Sequence, residues 1–529
     1  MNAILYNGQI YPQYRISRRP AVLVITGGRI AVVGNDLTKI KRDYPQHKKI
    51  NLKGKTVIPG MVDSHTHFYF WAKTYHSVHL DGIESYDEAL REIKSHTSKI
   101  PDGEWVIGDG WSADRWDTYH LPTAKELDAV TGNHPAGLFS KDQHTIWVNS
   151  KALKMAGIDK NYTDPPGGKI DRDPVTKEPL GILRETPAYF PVYKLMNRSV
   201  PKQIQRSWKA ASQIAYSRGV TGFHSMDGPE GFDFFEKLNN RNRLGFRVHY
   251  YYPIKMLDEL IERGIHSEIG DDTLRIGGIK IFADGALGSQ TAFMKKPYLE
   301  SKSNFGLEVT KFADLKKQIK KAAQNNLACA VHAIGDRAVS NVISAFECVP
   351  KSSLRHRIEH LQLIAKGDLG RLKKTGVIAS MQPSHCPSDR QLITEYWGKR
   401  GRGAFIFKTL LSKRIPLAFG SDCPIEPLDP LAGISSAVNR TGFGERGGKF
   451  YPEESISVSS AVHGFTAGPA YACGRESFSG KIAPGYQADV VILEDNIYTM
   501  PKSEIYKASV AATIFDGRLV YLNTCSKLF

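Results

Sequence analysis

With 529 residues, 41% of them hydrophobic, the chain reads as globular and too long for one ordinary core, because single cores rarely grow past about 300 residues. Its formal charge of +17 invites a nucleic-acid partner, but the basic residues fall in small groups such as Lys316, Lys317, Lys320 and Lys321, which read as the solvated face of a helix, with no zinc finger, RNP-type aromatic motif or basic arm beside them. Six scattered cysteines with no Cys-x-x-Cys exclude a disulfide framework, and no apolar run approaches the roughly 20 residues of a membrane span, so a cytoplasmic chain without nucleic-acid or membrane partners is expected.

Residues 1–56 are short alternating segments at 3–6, 21–25 and 28–34, separated by turn residues. The same texture returns at 488–493 and 509–521, where Asp516-Gly517 reads as a hairpin turn. Residues 1–56 and 475–529 are therefore expected to pair as one β-sandwich. The run Val57-Ile58-Pro59-Gly60-Met61-Val62-Asp63-Ser64-His65-Thr66-His67 reads as a single buried strand. A period of two puts His65 and His67 on one side of it. Two imidazoles at a strand end can begin a metal site, or they can be ordinary polar residues.

Residues 68–199 interrupt the pattern and read as an inserted cap. They hold a helix over Tyr86–Ser95, the stretch Gly108-Asp109-Gly110-Trp111, and a Pro/Gly-rich passage at 164–168. An amphipathic helix over Gln203–Arg218 then stops at Gly219. Strands follow at 220–224, 246–251, 276–282, 328–332, 357–361, 377–381 and 416–422. With the first strand they make eight. The expected fold is α/β, a (β/α)₈ TIM barrel over 57–67 and 200–474, with its chemistry at the C-terminal strand ends.

Polar residues gather at those ends: His65 and His67, Lys280, His332, His360 and Asp422. A buried lysine is costly unless paired or chemically changed. Around these residues the sequence resembles the amidohydrolase superfamily, and within it the YtcJ-like amidohydrolase family 3, which includes N-substituted formamide deformylases. The resemblance rests on 59–67, Lys280 to Ala292, His332-Ala333-Ile334-Gly335-Asp336-Arg337-Ala338, Arg357-Ile358-Glu359-His360, Met381-Gln382-Pro383, Gly420-Ser421-Asp422 and Gly480 to Val490. It implies a hydrolase of a C–N bond, amide or formamide, in a small non-peptide substrate. One or two divalent ions, zinc first among the metals that suit His and carboxylate ligands, would be held by His65, His67, Lys280, His332, His360 and Asp422. Lys280 is then either a carbamate bridging two ions or, in a one-metal site, an unmodified ammonium salt-bridged to Asp284 or another carboxylate. Hydroxide would be the nucleophile, and Asp422 the group that moves its proton to the leaving amine. A deaminase or cyclic-amide hydrolase on the same scaffold is the alternative, and a non-catalytic binding or regulatory protein is the rival from another class.

Trp111, His144 and Arg337 are candidates to bind substrate. Each has a structural alternative: Trp111 and Trp147 could pack the cap's own core, and Arg337 could pair with Asp336 or Glu359. Gln143 stands where relatives carry glycine, and Gln290 where they carry arginine. Glu359, next to His360 on a strand, is expected to face the other way and serve structure. A homodimer is expected from the prevalence of two-fold assemblies.

Overall fold

Eight parallel strands, each paired with the next in chain order, organise the molecule in this computed structural model. They are β1 (Met61–Thr66), β2 (Val220–Ser225), β3 (Arg247–Pro253), β4 (Leu274–Phe282), β5 (Ala328–Ala333), β6 (Arg357–His360), β7 (Ile378–Met381) and β8 (Leu417–Phe419). All residues are described except 13–20, 76, 142–144, 167, 300, 443–447, 527 and 529. The chain divides into two units, Met1–Phe70 with Ser212–Phe529, and Trp71–Ala211.

The barrel nearly closes between β1 and β8. Asp422 N–H donates to His65 O at 2.7 Å and His67 N–H to Cys423 O at 2.8 Å, just beyond the ends of the two strands. Helices cover the outside, so the strands are buried on both faces and read as near-continuous apolar runs; every residue of β5 is buried. This is the (β/α)₈ fold that the strand count predicts.

One boundary differs. The run from Val57 to His67 is two strands. Thr56–Pro59 pairs with Val490–Leu493 and Gln9–Ile10 in a five-stranded sheet, and β1 begins after Gly60. A Cβ on Gly60 would lie 2.3 Å from Thr221 Oγ1 and 3.0 Å from Asp489 Cβ, so the crossing from sheet to barrel has room only for glycine. The five-stranded sheet ends in the hairpin of Val510–Phe515 and Arg518–Leu522. Asp516 and Gly517 turn it with φ of 49° and 67°, the positive values a two-residue type I′ turn requires. A four-stranded sheet of residues 29–34, 22–26, 3–6 and 48–51 shares its apolar core with the five-stranded one, through Leu5, Leu23, Ile25, Val57, Val490, Ile492 and Ile514.

The unit Trp71–Ala211 has its own six-stranded sheet. Its core includes Trp111, Trp116 and Trp147, the last fully buried with its indole N–H on Thr123 O at 2.9 Å. The helix expected from Gln203 begins at Glu185. Its early residues Ala188, Val192 and Met196 are buried in that unit's second apolar cluster, so packing extends the helix N-terminally through a proline-containing stretch.

Candidate metal centre

At the C-terminal end of the barrel, ligand-type atoms of His65, His360 and Asp422 all lie within 4.8 Å of one another. His65 Nε2 is 3.4 Å from Asp422 Oδ1, and His67 Nε2 is 3.5 Å from the same oxygen. Lys280 Nζ lies 3.4 Å from His65 Nε2. The rings of His332 and His360 are 4.5 Å apart, and those of His65 and His360 5.0 Å. All six side chains line one cavity of about 630 Å³. The alternation of β1 places His65 inside, while His67 sits one step past the strand end and is the most open of the six, with 31% of its side chain exposed.

Two of these residues carry backbone strain. His360 has φ of 66° and Asp422 of 63°, a region non-glycine residues avoid at a cost of about 1–3 kcal/mol each. The strain at Asp422 is held by Asp63. Its carboxylate accepts from His65 N–H at 3.0 Å, and from Ser421 N–H at 3.0 Å and Ser421 Oγ–H at 2.5 Å. One buried side chain therefore fixes His65 relative to the turn that carries Asp422.

The strain at His360 overturns the expectation for Glu359. Beside a left-handed residue the alternation of a strand fails, and Glu359 points into the barrel. It is fully buried, with Oε2 2.5 Å from His65 Nδ1. Arg357, also fully buried, donates to the same carboxylate, to Ser380 Oγ at 2.7 Å and to Ser64 O, and its Nη1 lies 2.7 Å from His224 Nδ1. Burial works against the charge on Glu359, but Arg357 and then Lys280 hold it below the ordinary carboxylate range.

Burial, followed by the charge of Lys280, pushes His67 down to about 4 and His332 to about 3. Burial first also holds His65 and His360 well below the usual imidazole range. The rings are neutral near pH 7, the form in which imidazole can ligate. His360 Nδ1 is buried with no hydrogen-bond partner, and His65 Nε2 is turned toward Asp422 while its Nδ1 is held by Glu359. A carboxylate that orients a histidine through its far nitrogen is the usual support of a metal-ligating ring. The donor set fits a divalent cation.

Lys280 is 3% exposed, and burial lowers its pKa while Glu359 and Asp422 partly offset that. Among the described residues it has no carboxylate within ion-pair distance. Asp284 instead accepts from the backbone N–H groups of Phe293, Ile334 and Gly335 at 2.8–3.0 Å. Burial raises Asp422, against the pull of Lys280.

The other candidates lie elsewhere or unseen. Trp111 is packed in the core of the Trp71–Ala211 unit and donates its indole N–H to Leu138 O at 2.8 Å. Arg337 is exposed, its guanidinium 5.3 Å from the Phe293 ring centre, and is absent from the cavity wall. His144, like Gln143, lies outside the described residues. Two cavity residues escaped the sequence reading: His385, whose Nε2 is 3.9 Å from Asp422 Oδ2, and Asp389, which accepts from Gln362 at 2.7 Å. His385 opens a one-turn helix after β7 and Asp389 sits in the turn that follows it, and the Met381-Gln382-Pro383 motif just before them was the available signal.

The sequence matches the amidohydrolase family over residues 48–521. It is 33% identical to YtcJ of Bacillus subtilis strain 168, over 98% of this chain and 99% of that protein. Identity to N-substituted formamide deformylase of Arthrobacter pascens is 26%, over 97% and 96% of the two chains. The crystal structure of an uncharacterized metal-dependent hydrolase from Pyrococcus furiosus covers 94% of this chain and 100% of its own, with a TM-score of 0.78 and 29% identity.

Proposed function

Given that this chain belongs to the amidohydrolase family, we propose that it is a metal-dependent hydrolase of an amide or formamide C–N bond in a small non-peptide molecule. The observation that carries this reading is the convergence of His65, His360 and Asp422 within 4.8 Å, beside a buried lysine that has no carboxylate within ion-pair distance among the described residues. His65, His67, His332, His360 and Asp422 would hold one or two ions, with zinc the best match to neutral imidazoles and a carboxylate. Lys280 would join them as a carbamate. Its burial favours the neutral amine that reacts with CO₂, and the added carboxylate gives the site a negative group where the chain supplies only an amine.

A bound divalent ion supplies Lewis acidity and lowers the pKa of a coordinated water from 15.7 to about 7. The rest falls to the protein's own groups. Asp422 Oδ1 faces His65 and His67, which leaves Oδ2, on the His385 side, to take the proton of the attacking water and pass it to the leaving nitrogen. Glu359 and Asp63 hold His65 and the Asp422 turn in register, so the proton acceptor is in place before substrate arrives. Phe282, Leu287, Met226 and Ile334 line the same cavity and would exclude water around the scissile bond.

The test measures metal content of the purified protein, then chelation and metal re-addition against a panel of N-acyl and N-formyl amines, with product identification. Amine plus acid, lost on chelation and restored by metal, is the expected result. Full turnover in metal-free protein, or no bound metal under any loading, would overturn the proposal.

A further inference from the structure

Asp389 lines the cavity of the metal-binding candidates but takes no part in the frame that holds them. It sits in the turn after the one-turn helix His385–Ser388, with its N–H on His385 O at 2.8 Å. His385 Nε2 is 3.9 Å from Asp422 Oδ2, and residues four apart on a helical turn stand about 5–6 Å from each other at Cβ. Asp389 is therefore set one helical turn beyond the residue that borders the metal centre.

The structural duties open to this carboxylate leave half of it unused. Asp389 precedes the turn Arg390–Leu392, yet its side chain makes no capping bond there. Among the described residues it has no lysine or arginine within ion-pair distance. Gln362 Nε2–H donates to Oδ2 at 2.7 Å. Oδ1 has no partner among the described residues and remains accessible to solvent. Asp227, on the wall of the same cavity, differs, because its two oxygens are taken by Tyr69 N–H, Phe70 N–H and Ser225 Oγ–H at 2.6–3.0 Å. Among the described lining residues Lys280 alone is a lysine or arginine, and it belongs to the metal set. Burial first, with Glu426 acting the same way against the Gln362 bond, pushes Asp389 up to about 6. Near pH 7 it is still mainly an anion, without a counter-charge, and a cation within about 4–6 Å favours that form.

We propose that Asp389 is a specificity-determining residue that reads the end of the substrate remote from the scissile bond, its Oδ1 accepting from a protonated amine. The substrate class is then an amide or formamide whose nitrogen or acyl side carries an aminoalkyl chain. Met226, Phe282, Leu287 and Ile334 on the cavity wall suit the methylenes of such a chain, and Gln362 holds the carboxylate in place through its other oxygen. A substrate with a carboxylate at that end would meet Asp389 with no cation among the described residues to balance it. The inference rests on the reading of this cavity as a site of amide hydrolysis.

The experiment compares N-(ω-aminoalkyl)formamides, with chains of three to six carbons, against n-alkylformamides that carry a methyl in place of the ammonium. Binding is measured by calorimetry at pH 7 on full-length, metal-loaded Asp422→Asn protein, in which turnover is slow, and hydrolysis on the wild type. For at least one chain length the amine is expected to bind at least tenfold tighter than its alkyl counterpart, about 1.4 kcal/mol. Adding Asp389→Asn keeps the shape and an acceptor for Gln362 but removes the charge. It should bring the two affinities within twofold of each other and leave that of the alkyl compound unchanged. Three results would overturn the proposal: no preference at any chain length, a preference that survives Asp389→Asn, or an equal loss for both compounds, which would make Asp389 purely structural. The preference in binding without hydrolysis of any compound by the wild type would sink the C–N hydrolase reading and leave the assignment of Asp389 standing.

Discussion

Replacing Glu359 by glutamine tests the inner frame of the site most sharply. In the native arrangement one carboxylate serves two donors, His65 Nδ1 at 2.5 Å and the Arg357 guanidinium, and all three side chains are buried. The amide keeps the shape but offers one acceptor oxygen and two N–H donors. Whichever way it turns, an N–H meets either His65 Nδ1–H or Arg357. If the oxygen keeps Arg357, His65 loses its orienting acceptor, and such losses weaken metal binding or activity by about 10–100-fold. If it keeps His65, the guanidinium is left buried without its counter-charge, and a broken buried pair destabilises by about 3–5 kcal/mol. Glu359→Gln should therefore bind metal at least tenfold more weakly in competition with a chelator of known affinity, and its thermal unfolding temperature should fall. Thermal shift alone would not decide the matter, because a purely structural Glu359 also predicts it. Metal affinity within twofold of wild type, measured on folded variant, would refute the orienting role.

Asp422→Asn should retain most of its metal, because the histidine donors remain, and should lose turnover by about 10²–10⁴-fold, the range for a group that moves the proton; metal analysis beside initial rates checks both halves. Lys280→Ala should lower metal stoichiometry or affinity, and mass spectrometry of the intact wild type should show a bicarbonate-dependent gain of one CO₂ that the variant lacks. Gly60→Val should be destabilised by about 1–3 kcal/mol, the usual cost of overpacking, because its Cβ falls 2.3 Å from Thr221 Oγ1; a denaturation midpoint equal to wild type would show that the sheet-to-barrel crossing has slack.

What could be read from the sequence follows from what kind of force places each residue. The eight barrel strands are buried on both sides, so each announces itself as an apolar run, and the ligand-type residues stand out as the polar endings of those runs: His332 closes Ala328-Cys329-Ala330-Val331, and Asp422 follows Leu417-Ala418-Phe419. A local pattern of that sort needs no knowledge of neighbours. The misreadings arise where the neighbours decide. Nothing in Thr56–Thr66 marks the change of sheet except Gly60, whose necessity lies in Thr221 and Asp489, residues far along the chain. The helix Glu185–Ser217 runs through prolines because a core outside the helix rewards it. Glu359 is the instructive case. Period-two alternation assumes extended backbone, and His360 leaves that region at φ of 66°, so the rule fails at the one position where two neighbouring side chains must serve the same site. His385 and Asp389 were missed for a related reason, since they ride on a one-turn helix and the turn after it, too short to show a period. The residues that place the ligands are thus less visible than the ligands themselves. They act through backbone conformations that tertiary structure imposes, and strain of this kind is stored where function requires it.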